Sequence, residues 1–567
     1  MAPSAIDQHA SSASSRPRIL VPEKVSPDGL ALLSPHFDVD NTVGLAPEEI
    51  IAKIHNYHGL IVRSETKVTA EVLRAGRKLK VVARAGVGVD NIDVPAATSQ
   101  GVIVVNSPAG NIVAAAEHTI ALLMATARHI GRADASVKDG KWERSKLVGI
   151  ELGRKTLGIV GLGKVGLKVA RMAKGIGMKV LAVDPYADPG MAGQEGVELS
   201  TLEDILPKVD YLTIHTPLLA TTLDLVGEDE FKKMKNTARV LNVARGGVYN
   251  EAALLQALDK GWIAGAGLDV FTAEPPQPDS AAAQLARHPK VVATPHLGAS
   301  TVEAQENVSM DVCTQVLDIL QGGHPTSAVN APIILPEEYH KLQPFVELVE
   351  KMGRLYTQHF VHSKGGKIGG RKFELAYHGD LAAMPNTKPL LAALIKGLVA
   401  SFSETHINIV NATLVAKEKG ITVNETYARD YQDQQHTILS TNLVTLRAYG
   451  NGGGGEQIIQ GFTSDQRGYI SKLDRFHATF SPEGTLLIIH NYDEPGKIGG
   501  VGMVLGQHGI NIRFMQVASL DETSQGQSED ALNEALMILG VDGPMSDQVM
   551  EELKSSKGVL DVSLVRL

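Results

Sequence analysis

The sequence predicts an α/β chain with two doubly wound parallel sheets, followed by a further α/β unit and a ferredoxin-like one. Three observations carry that expectation. Short apolar runs such as Gly59-Leu-Ile-Val62 and Thr156-Leu-Gly-Ile-Val160 alternate with helix-like stretches, the pattern of buried parallel strands. A glycine-rich turn, Gly161-Leu-Gly163-Lys-Val-Gly166, follows one of these strands and opens a helix. From residue 485 onward the pattern reads strand-helix-strand-strand-helix-strand.

The chain has 567 residues, enough for several domains, and 43% of them are hydrophobic. Its 54 basic and 63 acidic side chains leave a formal charge of −9. No basic stripe points to nucleic acid or an anionic membrane surface, and no apolar run is long enough to span a bilayer. One cysteine, Cys313, cannot build a disulfide framework, a structural zinc site or an iron–sulfur cluster, so a buried core thiol is expected. Residues 1–15 are rich in Ser and Ala, without the apolar core of a secretory signal or the Arg-rich pattern of a transit peptide. They read as a disordered tail on a cytoplasmic protein.

In order along the chain, strands are expected at 18–22, 59–62, 80–84 and 102–105, with helices over 46–55 and 70–79. In such a sheet ligands bind beyond the C-terminal strand ends, where Arg63 and the Gly86–Gly88 loop fall. A long Ala-rich helix over 111–128 leads to the second sheet, whose strands are read at 156–160, 179–183, 209–215, 238–243, 264–270 and 291–294. Thr216, Arg245, Asp269 and His296 lie at or just past the ends of the last four. Pro332 and Pro336 punctuate a linker before the third unit, in which Gly452 to Gly455 reads as a flexible turn and not a phosphate loop.

In the glycine turn, Gly161 allows the tight bend, Gly163 lets backbone approach a pyrophosphate, and Gly166 lets helix and strand pack closely. The pyrophosphate would rest on the free N–H groups at the start of a helix read over 167–177. Asp184, at the end of the next strand, would accept hydrogen bonds from the adenosine ribose and repel a 2′-phosphate, so NAD is expected over NADP.

An enzyme oxidising an alcohol with a nicotinamide needs a base, a group that orients it, and a cation that holds the substrate. His296 suits the first role because imidazole titrates near working pH. Glu274 suits the second, and Arg245, with its bidentate guanidinium, suits the third. Taken singly, a His after Pro is often a loop residue and a Glu before Pro-Pro a solvated turn. Their strand-end placement is what groups them.

Asn242-Val-Ala-Arg-Gly-Gly247, Gly267-Leu-Asp-Val-Phe-x-x-Glu274 and Thr294-Pro-His-Leu-Gly-Ala-Ser-Thr301 resemble signatures of the D-isomer-specific 2-hydroxyacid dehydrogenases. Arg84-Ala-Gly-Val-Gly-Val-Asp-Asn-Ile-Asp93, Ala115-Ala-Glu-His118 and Asp139-Gly-Lys-Trp-Glu-Arg144 bring the likeness to the long-form branch of that family, which acts on 3-phospho-D-glycerate. Asp493-Glu-Pro-Gly496 and Gly509-Ile-Asn511 resemble an ACT domain. The likeness covers nearly the whole chain after the tail.

The resemblance implies a substrate-binding domain over 16–110 and 305–330, an NAD-binding Rossmann domain over 111–304, an intervening allosteric substrate-binding domain over 331–484 and an ACT regulatory domain over 485–567. It implies Arg245, Glu274 and His296 as catalytic. It places Lys164, Val165, Asp184, Thr216, Ala244 and Asp269 with the glycines at the NAD site. Arg63, Ser64, Val87, Gly88 and Asn111 are placed around the substrate, with Arg144 reaching into a neighbouring subunit of a homodimer or homotetramer. The implied activity is NAD-dependent oxidation of 3-phospho-D-glycerate to 3-phosphohydroxypyruvate, the entry to serine synthesis. L-serine is the expected effector, near Asn491, Asp493 and Asn511. Asp493 would accept from its ammonium group, and Asn511 and the N–H groups opening the helix at Gly496 would donate to its carboxylate. A dehydrogenase for another D-2-hydroxy acid is the runner-up. An NAD-sensing corepressor would not be expected to carry the two C-terminal units. An L-serine dehydratase would need several thiolates.

Overall fold

Apolar runs too short for helices become buried parallel strands. The computed structural model describes residues 16–332, 334, 336–362, 368–402, 407–428, 442–449, 456–520 and 533–567. The tail expected over 1–15 and the turn expected at Gly452–Gly455 lie outside the described residues.

The first sheet comprises β1 (Arg18–Leu20), β2 (Asp38–Asp40), β3 (Gly59–Val62), β4 (Val81–Arg84) and β5 (Ile103–Asn106). All its pairings are parallel, in the order β2-β1-β3-β4-β5. Every residue of β3 is buried, because apolar clusters cover both faces. One cover is the Val302–Leu320 helix, which returns from the second sheet and seats Val308, Val312, Cys313 and Val316 in the first. Cys313 is the buried thiol expected, and burial pushes its pKa up to about 12.

The second sheet holds β6 (Thr156–Val160), β7 (Lys179–Val183), β8 (Glu198–Leu199), β9 (Tyr211–Ile214), β10 (Arg239–Asn242), β11 (Gly265–Leu268) and β12 (Val291–Ala293). Its order is β12-β11-β10-β9-β6-β7-β8, all parallel. Strand order reverses between β6 and β9, and a crevice at the carboxyl ends follows there from topology alone. The Ile112–Arg128 helix joins the two sheets and buries Leu122, Leu123 and Ala127 against the second.

The third sheet is mixed: β13 (Lys372–His378), β14 (Thr422–Ala428), β15 (Leu443–Tyr449), β16 (Gln457–Ser464), β17 (Arg467–Leu473) and β18 (Phe476–Phe480), in the order β14-β13-β15-β16-β17-β18. Only the β13–β14 pairing is parallel. The Pro336–Tyr356 and Lys388–Val399 helices pack against each other and share its core. The fourth sheet, β19 (Thr485–Tyr492), β20 (Asn511–Ser519), β21 (Glu534–Asp542) and β22 (Val559–Arg566), is antiparallel in the ferredoxin-like order β20-β21-β19-β22. The run Leu486-Leu-Ile-Ile489 is buried on both faces. Leu487 and Ile489 meet the Lys497–Gln507 and Asp547–Ser555 helices, while Leu486 and Ile488 join the core of the third unit.

Several short elements escaped the sequence reading. β2 is three residues, one exposed and two half-buried, and the Pro27–Leu33 and Val94–Ser99 helices are single short segments started by caps at Ser26 and Asp93. The helix after the glycine turn begins at Lys164 and not at Leu167, because Gly163 already serves as its N-cap. Among the described residues no helix is long and apolar enough to cross a membrane.

Candidate active site

The first loop of the second sheet is shaped for a close ligand. Gly161 has φ +91°, and a Cβ there would sit 2.6 Å from the His215 carbonyl oxygen. At Gly166 a Cβ would meet the Gly161 oxygen at 2.1 Å, so the Lys164–Gly175 helix can approach β6 only without one. Asp184, past the end of β7, accepts N–H bonds from Leu162 at 2.8 Å and Tyr186 at 2.8 Å, tying the glycine loop to the neighbouring strand end. Beside this loop the Thr216 hydroxyl is buried with no partner, and nothing lies within 4 Å of a Cβ at Gly163. An unsatisfied buried hydroxyl beside open backbone fits a bound dinucleotide.

At the end of β10, the Asn242 side chain accepts from the Ala244 N–H at 3.0 Å and donates to the Arg245 carbonyl at 2.8 Å. This bend turns Arg245 out of the sheet, where its Nε lies 3.4 Å from Asp90. Past β12, His296 adopts left-handed backbone with φ +55°, a conformation costing about 1–3 kcal/mol outside glycine. Its Nδ1 meets Glu274 Oε2 at 2.6 Å, and Glu274 Oε1 accepts from the Phe271 N–H at 3.0 Å. Burial raises the Glu274 pKa, but the bonds from His296 and Phe271 outweigh it and hold the carboxyl below its ordinary value. Glu274 is therefore an ionised acceptor that orients the ring and leaves Nε2 for another partner.

These three side chains face a cleft of about 610 Å³ between the first two sheets. Arg63, Ser64, Val87, Gly88 and Asn111 line it too, so the structure gathers those five residues with Arg245, Glu274 and His296. The loop after β3 is held by Glu23, a buried carboxylate that accepts from the N–H groups of Arg63 at 2.9 Å, Glu65 at 3.2 Å and Thr66 at 2.9 Å. Asn106 donates to the Val87 carbonyl at 2.5 Å and fixes the loop after β4.

Sequence reasoning missed Glu23 and Arg84 as members of this site. Both stand at or just beyond strand ends, in Val21-Pro-Glu23 and in the Arg84-Ala-Gly motif, and that position was the available signal. Arg84 lines the cleft with a buried Nε that has no partner. Burial, then the charge of Arg245, holds its pKa below the usual guanidinium value.

Other expected residues lie elsewhere. Lys164 and Val165 open the helix after the glycine loop, and Ala244 sits in the Arg245 bend. Arg144 is exposed on a short turn over Arg144–Lys146 and does not line the cleft within one chain. Both carboxylate oxygens of Asp269 are engaged within the protein: Oδ1 faces His118, Thr294 and Leu297, and Oδ2 faces Gly298.

The three residues of the expected effector site do not converge in one chain. On β21, Asn491 pairs with Ala535 while Asn511 pairs with Asp542, which sets them at opposite ends of the sheet, about 20 Å apart. Asp493 lies just past Asn491, so its placement opposite Asn511 around one ligand is corrected: the helix between β19 and β20 carries the chain to the far end. Asn491 is 2% exposed and donates to the Tyr492 carbonyl, and its Oδ1 is buried without a partner.

A doubly wound dinucleotide sheet, with an Arg, Glu and His set over a cleft carrying further arginines, defines a nicotinamide-dependent 2-hydroxyacid dehydrogenase. Comparison with known proteins agrees. Residues 120–298 match the D-isomer specific 2-hydroxyacid dehydrogenase NAD binding domain, 341–448 the D-3-phosphoglycerate dehydrogenase intervening domain and 485–558 the ACT domain. The chain is 41% identical to a D-3-phosphoglycerate dehydrogenase of Synechocystis over 97% of this chain and 95% of that one. It is 40% identical to D-3-phosphoglycerate dehydrogenase 2, chloroplastic, of Arabidopsis thaliana, over 97% of this chain and 87% of that one. The solved TT0316 protein from Thermus thermophilus is 33% identical with a TM-score of 0.51, covering 55% of this chain and 99% of that one. The chain belongs to the D-3-phosphoglycerate dehydrogenase family, and it is an NAD-dependent dehydrogenase.

Proposed function

We propose that the protein oxidises 3-phospho-D-glycerate at C2 to 3-phosphohydroxypyruvate, the first step of L-serine synthesis, in the cytoplasm. The observation that carries this reading is the 2.6 Å His296–Glu274 pair opening on a cleft shared with Arg63, Arg84, Arg245 and Lys24. A phosphorylated hydroxy acid brings a carboxylate and a phosphate, and guanidinium groups grip both. In this reading Arg245 holds the carboxylate beside the reacting carbon, and His296 Nε2 accepts the hydroxyl proton while Glu274 stabilises the imidazolium. NAD, when bound, supplies the hydride acceptor. Asp184, Thr216 and the Gly161–Gly166 loop are the residues proposed to hold it, with Lys164, Val165 and Ala244 beside them.

Steady-state turnover on a panel of D-2-hydroxy acids with NAD and with NADP, followed by NADH absorbance, tests the reading. Preference for an unphosphorylated acid would favour the runner-up, a dehydrogenase for another D-2-hydroxy acid.

L-serine is the proposed effector of the C-terminal unit, supported by its ferredoxin-like fold and by the unpartnered buried Oδ1 of Asn491 next to Asp493. A homo-oligomeric arrangement would bring Asn511, about 20 Å away within one chain, back toward this end. β20 is the outer strand of its sheet, and a two-fold pairing along that edge returns a second copy's Asn511 to the Asp493 end. Arg144, exposed and outside its own cleft, is proposed to complete a neighbouring one. Calorimetry with L-serine at millimolar concentration checks the effector, and no detectable binding would leave the unit an assembly module.

A further inference from the structure

The backbone carrying His296 is held by one residue, through its main-chain oxygen and its carboxylate. Asp269, just past β11 and 1% exposed, receives three successive N–H groups. His296 N–H donates to its main-chain oxygen at 2.9 Å, Leu297 N–H to Oδ1 at 2.7 Å and Gly298 N–H to Oδ2 at 2.8 Å. The Thr294 hydroxyl also donates to Oδ1, at 2.6 Å. Four donors thus converge from both sides of a histidine whose own backbone conformation is unfavourable. Burial raises the Asp269 pKa, but the bonds from His118, Thr294, Leu297 and Gly298 outweigh it, so the carboxyl is the anion such a cluster of donors needs.

Among the described residues, His118 supplies the donor that comes from another element. Its Nε2 lies 3.1 Å from Asp269 Oδ1 and 3.0 Å from Thr294 Oγ1. The residue stands on the Ile112–Arg128 helix, which packs on β11 and β12. Asn111, at the N-cap of that helix and in the cleft lining, is seven residues earlier, about two turns away on the same face. One face of one helix therefore meets the cleft at its start and the His296 support two turns on.

We propose that His118 is a positioning residue for the oxidation: by donating Nε2–H to Asp269 it holds the 294–298 loop so that His296 stays aimed between Glu274 and the substrate. This rests on the reading of His296 as the base. The proton that moves in the reaction does not pass through His118, whose part is geometric. A ring lost here leaves Asp269 Oδ1 short of a donor and frees the loop from the helix.

The full-length chain tests this with two variants. His118→Leu removes the donor, and His118→Gln places an amide N–H near the position of Nε2. Measured quantities are kcat, KM for the preferred hydroxy acid, NADH affinity by fluorescence, and the primary isotope effect with substrate deuterated at C2. His118→Leu should lose roughly 10- to 100-fold in kcat, as for a base misplaced by about 1 Å. KM and NADH affinity should stay within about threefold, the isotope effect should rise, and His118→Gln should recover most of the rate. If His118→Leu does not fold, His118→Asn, polar but too short to reach Asp269, takes its place with the same expectation. A kcat within about twofold of wild type would overturn the proposal. So would a loss shared equally with NADH affinity and not rescued by Gln, the mark of a purely structural residue. A wild type inactive on every 2-hydroxy acid would overturn the proposed function as well, which separates the two failures.

Discussion

A carboxylate 2.6 Å from an imidazole, on a cleft with nearby guanidinium groups, sets the expected cost of removing the ring. His296→Asn should lower kcat by about two to four orders of magnitude, the usual worth of a positioned acid–base group, with NAD affinity barely changed. Near-normal turnover would remove His296 from that role. Asp184 gives a second residue-level expectation. Its carboxylate sits beyond β7 and holds the glycine loop through Leu162, so Asp184→Ala should weaken NAD and narrow the gap to NADP, read as the ratio of kcat/KM with the two cofactors. A wild type that already used both equally would contradict this account of the aspartate.

At the scale of elements, the dinucleotide loop depends on a strand and a helix packing closer than a side chain allows. Gly166→Ala would place a methyl 2.1 Å from the Gly161 oxygen. Overpacking of this kind costs about 1–3 kcal/mol, and the shift falls on the loop that would receive the cofactor. The variant should melt lower and bind NADH at least tenfold more weakly. Unchanged affinity would mean the loop tolerates displacement. Element type was legible wherever a run was apolar and bounded by Gly or Pro: the residues of β3, β6 and β7 coincide with the expected strands. β2 was not, because Asp38-Val-Asp40 carries no apolar pattern and is a strand only through its parallel partner β1.

Over the whole molecule, the junction between the dehydrogenase sheets and the C-terminal units contains a ring stack. His324 lies 4.6 Å from Tyr339, centroid to centroid, with its Nε2 buried and unpartnered. Burial lowers its pKa from 6.5 to about 4. A histidine whose folded pKa is depressed takes up a proton more readily when unfolded, so stability falls as pH drops from about 6.5 toward about 4. His324→Phe keeps the stack and removes the proton site. It should therefore gain stability over wild type as pH falls from about 6.5 toward 5, relative to their difference at neutral pH. Thermal melts of both proteins at the two pH values check this, and parallel pH profiles would exclude His324 as the cause.

What the sequence determined by itself was local: strand runs, the glycine turn, the acid at the end of β7, and the motifs that named His296, Glu274 and Arg245. The strands, the turn and the acid follow from residue type and spacing within a few tens of residues, where backbone sterics and hydrogen bonding act, and the motifs point to those three side chains by their resemblance to a family. Tertiary structure decided the convergences. Glu23 and Arg84 enter the cleft because parallel strands place their carboxyl ends side by side. Asn491 and Asn511 part because a helix between parallel strands returns the chain to the opposite end of the sheet. The continuous Leu486–Ile489 run finds a partner for both faces only when the third unit closes over it. Those outcomes depend on which distant segments meet, a matter of sheet order and register that no single stretch of sequence carries.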